Sequence, residues 1–195
     1  MNSKIINKIY NIFFKFFFKK KFFQLGSKSY INFPFRIDGS NHISIGDNTY
    51  FQKRLWIYVS EDLNKKISKL NIGSNCVFGY NNHISTISKI EIEDYVLTAN
   101  NVFISDNIHS YENINIPIVK QGIQLKKSVK IGFGTWIGEN VCIIGANIGK
   151  NCVIGANSVI TKDVQDYSIV VGSPGRVIKY YDINLKKWIK NTNHE

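Results

Sequence analysis

The chain has 195 residues, 25 of them lysine or arginine and 14 aspartate or glutamate, for a formal net charge of +11. With 44% hydrophobic and 20% charged residues, it has the bulk for one packed domain and is no disordered polyelectrolyte. The charge is uneven: eight bases precede the first acid, Asp38, residues 37–175 carry as many acids as bases, and the tail from Arg176 adds three positive charges. A neutral middle argues against a nucleic-acid groove along the body, because phosphate tracking needs basic surface on the domain itself.

The first element is residues 3–25, SKIINKIYNIFFKFFFKKKFFQL. At 100° per residue Lys4, Lys8, Lys15 and Lys19 form one narrow stripe, with Asn11 between them. Ile5, Ile9, Ile12, Phe13, Phe16 and Phe17 lie opposite. The pattern predicts an amphipathic helix over residues 1–26. It has two readings: an interfacial helix on an anionic bilayer, or a helix that packs its phenylalanines on the body or a neighbouring subunit. No uncharged apolar run reaches the ~20 residues of a membrane span. Lys15 and Lys19–Lys21 also break the stretch that a signal peptide would keep apolar.

From residue 43 the dominant signal is self-similarity at six residues. An aliphatic residue opens each unit, Gly, Ala or an acid often follows, and a small or β-branched residue sits four places on. The openings run Ile45-Gly46, Phe51, Ile57, then Ile72-Gly73, Phe78-Gly79, Ile84, then Ile92-Glu93, Thr98-Ala99, Ile104. After a gap come Ile131-Gly132, Ile137-Gly138, Ile143, and then Ile148-Gly149, Ile154-Gly155, Ile160. Three units make 18 residues, the length of one coil of a triangular parallel β-solenoid. The opening aliphatics would stack inward, with Gly and Asn at corners that other residues resist. Five coils at ~4.8 Å each give a prism of roughly 24 Å. Apolar residues six apart do not stay on one helix face, so a helical reading fails. The 39 residues from Ile92 to Ile131 exceed a coil by about 21, which places an extruded loop over about 106–128. Cys76, Cys142 and Cys152 form no CxxC pair and fall in apolar units, which suggests reduced, buried thiols in a cytoplasmic protein.

This hexapeptide pattern resembles the left-handed β-helix acyltransferases over roughly residues 30–180. Three motifs resemble the sugar and xenobiotic O-acetyltransferases in particular, including galactoside acetyltransferase and capsule or O-antigen acetylating enzymes. They are Ser105-Asp106-Asn107-Ile108-His109-Ser110-Tyr111 at the loop's start, Ile131-Gly132-Phe133-Gly134-Thr135-Trp136-Ile137-Gly138, and the closing run Ile154 to Val164 followed by Gly172-Ser173-Pro174-Gly175-Arg176. The implied architecture is all-β: an N-terminal helix (1–26), a left-handed parallel β-helix of about five to six coils (27–178), and a C-terminal tail or short helix (179–195).

Moving an acetyl group from a thioester to a hydroxyl needs a base for the hydroxyl proton and donors for the developing oxyanion. Histidine suits the first task because its unperturbed pKa lies near neutrality. Of the four, His194 is in the polar tail, His42 precedes a strand and His83 reads as a corner residue that could line a cleft. His109 alone combines a loop root, a polar neighbourhood and the family motif, and is the candidate general base. The resemblance implies direct transfer within a ternary complex. It places Asn81 as an acceptor-binding residue, while Asp106 or Glu112 would orient the imidazole as carboxylates do in other histidine-based sites; Asn81 and Asp106 also read as turn formers. Trp136 would be an apolar wall at a corner, beside the thioester or the sugar ring. Gly155 and Ala156 would line the pantetheine arm of acetyl-coenzyme A, with Thr161, Lys162 and Arg176 on its adenine and phosphates, where cations suit a polyanion. No metal is implied.

The resemblance further implies a homotrimer with active sites between subunits and the His109 loop reaching across. The acceptor would be a carbohydrate, with no nucleic acid partner. The enzyme would sit in the cytoplasm, at the inner face of the membrane where residues 3–25 make peripheral contact. Two other readings share the solenoid. An amino-sugar N-acetyltransferase would use the same base. A γ-type zinc carbonic anhydrase needs a second histidine shortly after His109, and none follows until His194. A non-catalytic scaffold fits poorly with the intact loop, Trp136 and Lys162.

Overall fold

The structure is a computed structural model that describes residues 3–61 and 68–192, with the backbone alone described at 3–9 and 11. His194 and the side chains of Lys4, Ile5, Lys8, Ile9 and Asn11 therefore lie outside the described residues. From Gln24 to Val171 the chain winds as a parallel β-solenoid whose three sheets are each built from strands one coil apart. On the first sheet Leu25, Ile45, Ile72, Ile92 and Ile131 stack in register, and isolated bridges at Ile148 and Val164 continue the row. Ile31, Phe51, Phe78, Thr98, Ile137, Ile154 and Val170 do the same on the second sheet. Ile37, Ile57, Ile84, Ile104, Ile143 and Ile160 do so on the third. That makes six coils and part of a seventh. Five of the six begin at residue 43 or later. The first, Gln24 to Asp38, uses the same grammar at Leu25-Gly26 and lies partly inside the segment expected to be leader.

The grammar has a steric cause. A Cβ on Gly46 would lie 2.7 Å from the carbonyl carbon of Gly73 in the next coil, so only glycine lets the coils approach there. The small residue four places after each aliphatic ties neighbouring coils: buried Thr49 donates its hydroxyl to Gly73 C=O (2.8 Å) and accepts from Cys76 N–H (3.0 Å). Thr135 repeats this with Gly149 and Cys152. Asparagines at the corners hold positive φ between 49° and 60°, as at Asn48, Asn75, Asn101 and Asn151. Cys76 and Cys152 are buried as expected. Cys142 is half-buried, because it points outward from the third sheet below Phe103.

Helix α1 (Ser3–Phe18) ends in a single 3-10 turn, Lys19–Lys21, and packs against the first coil. Its docking stripe is Tyr10, Phe14 and Phe18. Phe14 is 3% exposed and meets Phe18 and Phe35, while the Tyr10 hydroxyl donates to Ile31 C=O (2.6 Å) and accepts from Phe33 N–H (3.1 Å). The face singled out as apolar in the sequence is a different one: Ile12, Phe13, Phe16 and Phe17 are all exposed, Phe16 at 80%. The helix thus has three sides rather than two. No helix among the described residues is long and apolar enough to cross a membrane.

At the other end the chain forms an antiparallel hairpin, Arg176–Asp182 with Lys187–Lys190, that extends the second sheet. A helix was the alternative, but alternating Val177, Lys179 and Tyr181 meet an open sheet edge, and the edge decides in favour of strand.

Candidate active site

The insertion after the fourth coil is a hairpin, not a shapeless loop. Asn107–His109 pairs antiparallel with Ile123–Leu125, with His109 opposite Ile123. Its base is fixed by Asp106, which is fully buried. The Asp106 carboxylate accepts from the Thr86 hydroxyl (2.6 Å), the N–H groups of Ile87, Ser88 and Lys89 (2.9–3.0 Å) and the Asn107 amide (3.0 Å). Its C=O accepts from Lys126 and Lys127. Asp106 is therefore committed to the hairpin's root and does not orient the His109 imidazole. Glu112, the other carboxylate nearby, accepts from Gln124 (2.7 Å) and the Tyr111 N–H (3.0 Å). The His109 ring is exposed and makes no hydrogen bond within the described residues, so both nitrogens are open to an incoming group.

His109 overhangs a groove of about 520 Å³ on the outer face of the third sheet. Two in-register columns floor it. One is Arg36, Trp56, His83 and Phe103; the other is Asp38, Tyr58, Ser85 and Ser105. His83 is thus a strand residue of the groove and not a corner residue. Its ring stacks on Trp56 at 4.0 Å and 4° and contacts Phe103 at 5.0 Å, and this burial lowers its pKa from the ordinary 6.5. Neither column was singled out in the sequence. The signal was there: Arg36 to Trp56 and His83 to Phe103 are each 20 residues, one coil, apart.

The remaining candidates fall in three places. Thr161, Lys162 and Arg176 share a small cleft of about 180 Å³ with Pro174 and Gly175. The cleft leaves the same edge of the third sheet as the His109 hairpin, two coils on, or roughly 10 Å along the axis. Lys127 at the hairpin's base reaches it and pairs with Asp163 (2.6 Å), which also accepts from Asn147 N–H; both hold that carboxyl below its usual range. Lys162 and Arg176 have no ion pair among the described residues, which leaves two cations free for an anion.

Asn81, Gly155 and Ala156 lie at the opposite edge of the third sheet. Asn81, at φ 56°, donates to Asn101 (2.8 Å), Asn101 to Asn140 (3.0 Å) and Asn140 to Asn157 (3.1 Å), a ladder of corner amides running down the prism. Trp136 is not at a corner. It is a strand residue of the second sheet, 49% exposed, between Leu97 and Val153. Within the chain the structure gathers His109 with the groove, and Thr161 with Lys162 and Arg176. It does not bring Trp136, Ala156 or Asn81 to His109.

Residues 128–162 match the family model described as the hexapeptide repeat of succinyl-transferase. The chain is 34% identical over 116 residues to the putative lipopolysaccharide biosynthesis O-acetyl transferase WbbJ of Escherichia coli K12, which covers 55% of this chain and 59% of that one. A maltose O-acetyltransferase from Clostridium difficile 630 superposes with a TM-score of 0.57 at 29% identity, over 92% of this chain and 84% of that one. The chain is similar in sequence to hexapeptide-repeat acetyltransferases. A relative in fold is a mutant of AntD, an N-acyltransferase from Bacillus cereus in complex with dTDP and coenzyme A, with a TM-score of 0.71 at 20% identity over 95% and 92% of the two chains. The chain spans about half the length of four of the curated relatives it matches, between 42% and 59%.

Proposed function

We propose that the protein transfers an acetyl group from acetyl-coenzyme A to a hydroxyl of a carbohydrate, in a surface polysaccharide, capsule or lipid-linked glycan. The observation that carries this is His109, held by a rooted hairpin over a groove lined with aromatic rings and hydroxyls. His109 takes the proton from the acceptor hydroxyl as its oxygen attacks the thioester carbonyl carbon. The C–S bond then breaks, and the leaving thiolate takes up a proton. Transfer is direct in this reading, within a ternary complex; Cys76 and Cys152 are buried, with burial pushing their thiols up, so neither offers a nucleophile. Lys162 and Arg176 fit the phosphates of coenzyme A and Thr161 its adenine end, while Gly155, Ala156 and Trp136 fit the pantetheine arm. The coil winds left-handed in this reading.

The scatter of those groups over two edges of one prism supports a homotrimer, in which one protomer's His109 edge faces its neighbour's Ala156 and Trp136. The hairpin tip suits that contact, with Ile114 93% and Val119 85% exposed. Light scattering that gave a monomer would overturn this arrangement. The exposed Ile12, Phe13, Phe16 and Phe17, beside Lys15 and Lys19–Lys21, suit an anionic lipid surface and a site at the cytoplasmic face of the membrane.

The decisive test is acetyl-coenzyme A turnover against sugars, amino sugars, nucleotide sugars and polysaccharides, read as thiol release with product analysis. Ester formation on a sugar is expected. Amide formation on an amino sugar would establish the second reading, which the AntD likeness in fold favours. Thiol release with none of these acceptors would remove both.

A further inference from the structure

The two columns beneath His109 extend well beyond the space one sugar needs. They begin at Phe103 and Ser105 beside the hairpin and continue for three more coils to Arg36 and Asp38, roughly 14 Å towards the end of the prism where α1 docks. One column is a continuous stack: the Arg36 guanidinium lies 5.2 Å over Trp56, Trp56 on His83, and His83 against Phe103. Trp56 and His83 cover one another's faces, and both line the groove with side chains that carry an indole N–H and two imidazole nitrogens. The parallel column offers the Tyr58 and Ser85 hydroxyls, and Arg36 pairs with Asp38 (2.9 Å) across the far end. Neutral donors and acceptors along an apolar floor, closed by one balanced ion pair, match a chain of hydroxyls and ring C–H groups. They match a polyanion or an apolar helix poorly. Burial of His83 between two rings keeps it uncharged near neutral pH, so the floor adds no net charge.

We propose that this double column is a track for an extended oligosaccharide, holding the acceptor units beyond the one whose hydroxyl meets His109. It rests on the carbohydrate reading above and adds to it that the acceptor is a chain, lying along the prism axis and leaving towards the helix end. An acceptor tethered to a membrane under α1 would reach His109 by that route.

The test uses the full chain on an array of mono- to hexasaccharides, together with acetyl transfer to the monosaccharide and hexasaccharide of each sugar that binds. Binding is expected to rise with length. Trp56→Ala should cut the hexasaccharide-to-monosaccharide ratio of kcat/KM by about tenfold, the size of one well-packed aromatic contact. Tyr58→Phe removes only a hydroxyl and should move the same ratio in the same direction, which covers failure of the alanine variant to fold. Length-independent binding, or a ratio unmoved in both variants, would overturn the track while leaving acetyl transfer standing. Length-dependent binding with no transfer to any bound glycan would overturn the function and leave the track. Dissociation of a wild-type oligomer by Trp56→Ala would assign the column to an interface between copies and overturn the proposal.

Discussion

The coils and the N-terminal helix both rely on aromatic rings, and treat them in opposite ways. In the coils each ring's place is set by the hydrogen-bond ladder: Phe51 stacks on Phe78 at 4.4 Å and 16° because their strands are paired in register. In α1 only the stripe that meets the first coil is constrained. Tyr10, Phe14 and Phe18 are taken up, and Ile12, Phe13, Phe16 and Phe17 are left in solvent. The same composition therefore yields a core in one region and an unpartnered face in the other. The net charge divides likewise, since the coiled body is neutral and the helix end basic. On the proposed function, chemistry and stability belong to the coils and location to the helix.

That separation can be broken at each level. The largest effect is expected at the hairpin. His109→Ala should lose about 10²–10⁴-fold in turnover, the usual contribution of a general base, while leaving vesicle binding as it was; turnover within a few-fold of wild type would remove the mechanism. Next is the stacked core. Phe78→Ala removes a ring that is 1% exposed and should cost about 3–5 kcal/mol in denaturant unfolding; a loss below about 1 kcal/mol would mean the coils do not share one cooperative core.

The helix is expected to respond in another assay altogether. Replacing Phe13, Phe16 and Phe17 with serine should abolish co-sedimentation with vesicles of phosphatidylglycerol and phosphatidylcholine. Lys19–Lys21→Gln should weaken it more than about tenfold at low salt. Neither set replaces a docking residue, and the second removes only the Lys21 ammonium 5.2 Å over the Phe18 ring, so the unfolding midpoint should move little. Unchanged vesicle binding, or a dissociated oligomer in its place, would mean that this face packs on a neighbouring subunit.

The smallest effect is a pH dependence confined to the groove. Burial depresses the His83 pKa in the folded state below the 6.5 of the unfolded chain, so the unfolded state takes up the proton first. Stability should be full above about 6.5 and fall as pH drops through the folded value, with Arg36, Tyr58 and His109 the titratable or charged groups beside it. His83→Gln should flatten that slope. The carboxylates whose pKa values are lowered, among them Asp163 by Lys127, Glu93 by Lys130 and Glu91 by Lys89, act in a separate window below about 4.5. A slope that survives in His83→Gln would assign it elsewhere.

Much of the fold could be read residue by residue because the repeat is a local rule with a local cause. Ile-Gly followed by a small residue marks a coil wherever it occurs. The first coil is included in 27–178 except for Gln24–Gly26, but its repeat is hard to read because its second unit, Ile31 to Arg36, carries Phe35 where a small residue is expected. His109 and the Lys162–Arg176 pair stood out because motif and chemistry coincide there. Trp56, His83 and Phe103 did not, since they lie on three different coils and meet only when the 27 residues from Ile45 to Ile72 and the 20 from Ile72 to Ile92 are wound into one register. Asp106 shows the converse: its place beside the histidine suggested an orienting carboxylate, but five donors from its own turn and neighbouring strands claim it first.

By itself, then, the sequence determined the coil, its inward row of aliphatics, the position of the insertion and the uneven charge, all of which depend on residue type at short spacing. Tertiary structure decided which side of α1 is covered, whether the tail is helix or strand, and which side chains share the groove with His109. Those outcomes depend on what surface is already present when the segment arrives: the first coil's aromatics for the helix, an open sheet edge for the tail, and the pairing of four successive strands for the columns. Local propensity does not carry that information, because each of these contacts joins residues that are distant in the chain.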